Sequence, residues 1–168
     1  MNKKIDFLFV LCYYTLCIFI FRRRKDFFMR HNYLVTVLTT QIFDGDKDVI
    51  EMTTHADLEL SEEGYTLSYS EHSQEEGEIK TVISVDRKNI ISVSREASIN
   101  SCYTIEEGVR HLSHHVAPFG SFSVGISAKS VESVMTEEGG RLDFRYITDI
   151  SGQAAGEVEF NIRVTRKS

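Results

Sequence analysis

From Tyr33 onward, apolar and polar residues alternate with a period of two. In "YTLSYSEH", Tyr65, Leu67 and Tyr69 fall on one face, and Thr66, Ser68 and Ser70 on the other. "LDFRYITDI" places Leu142, Phe144, Tyr146 and Ile150 opposite Asp143, Arg145 and Asp149. "EVEFNIRV" sets Val158, Phe160, Ile162 and Val164 against Glu157, Glu159, Asn161 and Arg163. "VIEMTTHADLEL" alternates as well, with Ile50, Met52, Ala56, Leu58 and Leu60 on one side. Successive side chains of a strand point to opposite faces, so each run predicts a strand with one buried face. No stretch beyond Met29 carries a long helical stripe; "IEEGVRHLSH" has room for a short helical turn only.

Polar and glycine-bearing groups separate these runs. "EEG" occurs at Glu62–Gly64, Glu75–Gly77, Glu106–Gly108 and Glu137–Gly139. "DGDKD" (44–48), "DRKN" (86–89) and "SGQAAG" (151–156) add three more breaks. Glycine reaches the positive φ that tight hairpins demand. The intervening runs differ in length and content, so the recurrence is turn chemistry and not a repeat architecture. Seven breaks imply about eight strands, with room for more between Ser98 and Ala128. Many short antiparallel strands must bury one face and hide their edges, and a closed barrel does both. The expected fold is all-β, a single antiparallel up-and-down barrel of about eight to ten strands spanning residues 29–168. A barrel of that size is filled by side chains or holds one small ligand.

Charge removes one class of partner. The formal net charge is −6. Six of the nineteen basic residues and two of the twenty-five acidic ones precede Met29, which leaves thirteen against twenty-three in the body. A body at −10 repels phosphate backbones, and nucleic acid is not an expected partner.

Residues 1–28 form a separate apolar and basic segment. Phe7–Phe21 is uncharged and is followed directly by "RRRK". The run is shorter than the roughly 20 residues of a spanning helix, and no small-x-small cleavage site follows it. Three origins fit: an anchor that leaves the domain in the cytoplasm, an atypical secretion signal, or a true start at Met29. The last is favoured, and membrane contact is expected only if residues 1–28 are present. Cys102 is the one thiol of the body, which suits a reducing, cytoplasmic setting.

Several motifs invite chemistry and fail on spacing. "HLSHHVAPFG" packs His111, His114 and His115 together. On a strand, His111 and His115 lie about 13 Å apart, too far for one zinc with ligands near 2 Å. A helix would bring them together, but Pro118 discourages it. "DGDKD" opens like a calcium loop but carries Val49 and His55 where glycine and a bidentate Glu are required. "GSFSVG" has Ser121 where a nucleophile elbow needs glycine. Nothing near Cys102 lowers its pKa, so it reads as a buried structural thiol. No metal, cofactor or catalytic residue is assigned.

Glu71 and Arg95 are more informative. Glu71 extends the apolar face of Tyr65, Leu67 and Tyr69, and Arg95 extends that of Ile91 and Val93. In a meander one strand, "IKTVISV", lies between them, a separation of about 10 Å. An isolated buried charge is costly, so the two should pair or meet the barrel mouth. They are either a polar hook in a ligand pocket or an ion pair that fixes register. Tyr69 and Tyr146, each with an apolar body and a polar tip, are their expected neighbours.

The ordered set "LSYSEH", "EIKTVISV", "SVSRE", "EEG", "APFGSFSVGISAKSV", "EEGGRLDFRY" and "VEFNIRV" resembles the YwiB-like family of small bacterial proteins, over about Tyr33 to Thr165. The resemblance implies a calycin-like, lipocalin-type barrel and no established activity. The family's Tyr-x-Glu falls on Tyr69 and Glu71, its threonine on Thr81, its arginine on Arg95 and its glycine on Gly108. Its Pro-Phe-Gly falls on Pro118–Gly120 and its late tyrosine on Tyr146. Ala97, Ile105 and His115 depart from the pattern, which commonly has glycine, an aromatic and tyrosine there. The histidine cluster is not part of the pattern.

The expectation is therefore a non-catalytic binding module for a small, partly apolar ligand held by Tyr69, Glu71, Arg95 and Tyr146. The alternative is a protein–protein interaction module with a solid core, in one form a homodimer. An enzyme using Glu71 and Arg95 ranks last, because no nucleophile–base pair accompanies them.

Overall fold

The computed structural model describes residues 32–74, 77–97, 100–117, 120–150 and 152–167. The side chains of residues 114–122 lie outside that description, as does the whole N-terminal segment. The described residues form ten strands: β1 (Tyr33–Phe43), β2 (Asp46–Ser61), β3 (Gly64–Ser73), β4 (Gly77–Asp86), β5 (Ile91–Glu96), β6 (Ser101–Ile105), β7 (Arg110–Ala117), β8 (Gly120–Thr136), β9 (Gly139–Ile150) and β10 (Gln153–Arg166). Every pairing between named strands is antiparallel. There is no helix among the described residues. The turn allowed for at 105–114 is a single tight one, with Val109 N–H donating to the Glu106 carbonyl at 3.2 Å.

The sheet order is β6-β5-β4-β3-β2-β1-β10-β9-β8-β7. The first and last strands are laddered together, from Tyr33↔Arg166 to Ile42↔Glu157. The barrel therefore does not open between its ends. Its seam lies mid-chain, between β6 and β7, and several links among the described residues cross it. Ser113 Oγ donates to the Cys102 carbonyl at 3.0 Å. Glu107, just after β6, bridges to Ala128 of β8. The result is a nearly closed ten-stranded barrel.

Turn chemistry explains the hairpins. Asp44 (φ 50°) and Gly45 (φ 87°) form a two-residue loop between Phe43 and Asp46, where left-handed backbone matches the twist of the flanking strands. At "DRKN", Asp86 Oδ1 accepts from Lys88 and Ile90 N–H at 2.8 and 2.9 Å. Asn89 there takes positive φ, as the short polar residues tolerate.

Alternation becomes an inside and an outside. Val35, Leu67, Ile83, Ile91, Leu142, Phe144 and Ile162 are buried in one continuous apolar cluster. Full burial of such a side chain contributes about 1.5–3 kcal/mol. Phe144 stacks on Phe160 (4.8 Å between centroids), and both lie against Tyr146. Two runs depart from their expected burial. Ile50 and Leu60 of β2, and Ile150 of β9, are exposed although they lie on the apolar stripe. Ile50 lies on the part of β2 that has no β3 beside it, since β3 pairs only with Ala56–Ser61. Leu60 and Ile150 lie at strand ends.

Candidate functional site

The register places the predicted residues in relation to one another. Ala56, Tyr69, Thr81, Arg95 and Ser101 form one row across β2 to β6. Directly paired antiparallel residues share a face, so Arg95 points to the same interior face as buried Tyr69 and Thr81. Glu71 lies one alternation further along β3, opposite Ile79. Arg95 Nη2 reaches Glu71 Oε1 at 3.3 Å over β4. The two side chains are 40% and 31% exposed. The pair thus sits at the barrel mouth, half in water, with its apolar neighbours beneath.

Three tyrosines lie under it. The Tyr69 hydroxyl is hydrogen-bonded to Thr81. Burial pushes its pKa up, and the nearby Tyr103 hydroxyl and Glu71 carboxylate push the same way. Tyr103 of β6 and Tyr146 of β9 meet across the seam, ring centroids 6.2 Å apart at 51°. Their hydroxyls are hydrogen-bonded to each other, and burial raises both pKa values. Arg95 is close enough to favour ionisation of Tyr69 and Tyr103. Glu71, Arg95, Tyr69 and Tyr146 therefore belong to one constellation, and Tyr103 links Tyr146 to the rest. Sequence reasoning missed Tyr103. The alternation of Ser101, Tyr103 and Ile105 in "SCYTI" carries the signal, but a five-residue run is a short basis for assigning a face.

The remaining candidates resolve differently. β7 is extended over Arg110–Ala117. His111 faces the interior opposite buried Ile126, and its Nε2 lies 2.9 Å from Glu106 Oε2. The His114 and His115 side chains lie outside the described residues, as does the Pro118–Phe119 part of the Pro-Phe-Gly motif. Among the described residues, no three His, Cys, Asp or Glu side chains are grouped as metal ligands. Cys102 is half-buried, not buried, because it pairs with Ser94 on the outward-facing parity of the sheet.

A groove of about 260 Å³ lies on the outer face of β8, β9 and β10, beside Glu132, Asp143, Arg145 and Glu159. Three of these four charges already have partners. Asp143 accepts from Arg163 at 2.6 Å and from Asn161 at 3.1 Å. Burial raises its pKa, but these two donors and the charges of Arg163 and Arg141 together outweigh burial and hold it below the usual carboxylate value. Glu132 is 3.5 Å from Arg141, and Arg145 is 3.3 Å from Glu157. The mouth is the better candidate, because there polar groups meet an apolar interior.

The domain of unknown function DUF1934 matches residues 35–162, from β1 into β10 and across the whole mouth constellation. The chain belongs to the DUF1934 family. It is 27% identical over 103 residues to the uncharacterized beta-barrel protein YwiB of Bacillus subtilis (strain 168), covering 61% of this chain and 71% of that protein. The crystal structure of the ywiB protein from Bacillus subtilis superposes with a TM-score of 0.71 at 22% identity, over 81% of this chain and 92% of that one. That likeness speaks for the shared barrel. The function of this DUF1934 member has to be argued from its own side chains.

Proposed function

We propose that this protein is a non-catalytic binding module for a small, partly apolar molecule that presents an acid or hydroxyl to the barrel mouth. One observation carries the reading: the Glu71–Arg95 pair, spanning β4, stands over the hydroxyls of Tyr69, Tyr103 and Tyr146 at the end of a largely apolar lining. Ligand sites combine apolar walls with a few convergent polar groups that fix orientation. A ligand carboxylate competes with Glu71 for Arg95 and keeps the charge paired throughout. A ligand hydroxyl donates to Glu71. In this reading the barrel works in a reducing, cytoplasmic setting, in keeping with its single body thiol.

The test is a thermal-shift and calorimetric screen against short- and medium-chain carboxylic acids, aromatic acids and their matched alcohols. Arg95→Ala is expected to abolish acid binding and Glu71→Gln to weaken alcohol binding, each with the melting curve of a folded protein. A panel in which no compound shows a shift that depends on Arg95 overturns the reading. The runner-up, a protein-interaction module, draws on the exposed edge of β2.

A further inference from the structure

β2 is the longest strand but one, and Ala56 alone is laddered to a neighbour on both sides. It pairs with β1 from Asp46 to Ala56, but with β3 only from Ala56 to Ser61. Beyond Tyr69, β3 continues against β4 alone. Where the strands part, Thr54 Oγ1 donates to the Ser70 carbonyl at 2.9 Å. Over residues 46–53, no strand among the described residues pairs with the other side of β2. Val49 and Ile50 on this stretch are each 51% exposed. A free edge carrying apolar side chains is a template for another strand, and proteins normally blunt such edges with charge.

The charges here are arranged to select a partner. A two-fold axis pairs an edge antiparallel with itself. Consider the self-registers of residues 46–53 that overlap by six residues or more. Sliding one way from the register that sets Val49 on Val49 opposes Asp48 to Glu51 twice. Sliding the other way opposes Asp46 to Glu51 twice. Sliding further toward the Thr53 end forms no charge pair, and the Val49-on-Val49 register brings Lys47 opposite Glu51 at both ends. It also leaves Asp46 facing Met52 and Asp48 facing Ile50, so no like charges meet. Within the barrel, Lys47 and Glu51 lie opposite Ile42 and Leu38 of β1, so neither has a charged cross-strand partner there.

We propose that this protein forms a two-fold dimer through the free edge of β2, with residues 46–52 of two copies paired antiparallel about Val49. Opposed cross-strand charges stabilise such a pair and like charges oppose it. The partner is a second copy, because the edge is complementary to its own sequence in one register.

Sedimentation velocity of the full chain over a concentration series tests this, with Lys47→Glu and the double variant Lys47→Glu/Glu51→Lys. The wild type is expected to show a monomer–dimer equilibrium that weakens with added salt, since the two ion pairs are exposed. Lys47→Glu replaces two attractions by two repulsions and should raise the dissociation constant about ten-fold or more. The charge-swapped double variant should restore it, and all three should melt alike at concentrations low enough to keep each monomeric. A wild type that is monomeric at every concentration overturns the proposal and leaves the edge to a strand of another protein. A dissociation constant unmoved by Lys47→Glu, or not recovered by the swap, also overturns it.

Discussion

Arg110 of β7 holds both carboxylate oxygens of Asp149 of β9, with Nε and Nη2 each 2.7 Å away, and it does so over a glycine. Gly125 of β8 pairs with Asp149 on one side and Leu112 on the other. A methyl group on Gly125 would overlap Asp149 Oδ2 and Arg110 Nη2. Three strands are thus tied together on the outer face because the middle one has no side chain there. The Arg110 hydrogen bonds, helped by the Gly152 N–H, hold Asp149 below its ordinary pKa of 3.8. A depressed carboxylate stabilises the fold above the unfolded pKa, and that contribution is lost as pH falls through the folded one. Gly125→Ala should push the two flexible side-chain ends apart. In an NMR titration of the carboxyl carbons, the Asp149 midpoint should rise toward 3.8, and its part of the acid limb of the stability curve should vanish.

The mouth pair should contribute little to stability. Its Arg95–Glu71 contact is a single one at 3.3 Å between side chains 40% and 31% exposed. Pairs with this much solvent are worth about 0.2–1 kcal/mol. Glu71→Gln should therefore cost less than about 1 kcal/mol in urea unfolding. Phe144→Ala, at the centre of the aromatic stack, should cost about 3–5 kcal/mol. A Glu71→Gln loss as large as the Phe144 loss would show that the pair holds the barrel together, and the hook reading would fail.

Local chemistry was legible in the sequence, and relations between distant strands were not. Among the described residues, the predicted breaks fall at or beside hairpins and connections, although Asp46–Asp48 and Gln153–Gly156 belong to β2 and β10. The connection from β5 to β6 escaped because its sequence has no glycine; at its described ends Asn100 Oδ1 accepts from Ala97 N–H at 3.3 Å. Alternation identified the buried faces of β3, β9 and β10, and it put Glu71 and Arg95 on the inward side. It could not reveal that β1 ladders with β10 and that the seam falls between β6 and β7. Periodicity is a property of one strand, whereas closure is a property of register. For the same reason it could not show that β2 outruns β3, which leaves Ile50 on an apolar stripe yet exposed. Tyr103 was missed on both counts, being on a short strand and meeting Tyr146 across the seam.

The buried phenols set an alkaline limit. Burial raises the pKa values of Tyr65, Tyr69, Tyr103 and Tyr146 above the ordinary 10.0. A group whose folded pKa is raised contributes stability that is full below the unfolded pKa. That stability is lost as pH climbs toward the folded value, because the unfolded chain ionises first. Stability should therefore fall from about pH 10 upward. Tyrosinate absorbance from these four residues should appear together with the loss of sheet circular dichroism. Their full ionisation while the sheet signal is intact would contradict the burial and bonding of these phenols in the barrel interior.

Tyr65 and Ser133 offer a test of closure itself. Their hydroxyl oxygens share a 2.7 Å hydrogen bond between β3 and β8, which lie five strands apart in the sheet order. The bond forms only if the sheet has curled so that these strands face each other across the interior. Burial raises the Tyr65 pKa, and the Ser133 bond partly offsets it. Tyr65→Phe should cost about 1 kcal/mol, the net worth of a hydrogen bond in a folded protein. Ser133→Ala should cost at least as much, because it leaves the phenol hydroxyl buried without that partner. The double variant should lose less than the sum, with a coupling of about 0.5–1 kcal/mol. Additive losses would mean that the two side chains do not meet in solution, and that the sheet is more open there than the ladder of β1 on β10 requires.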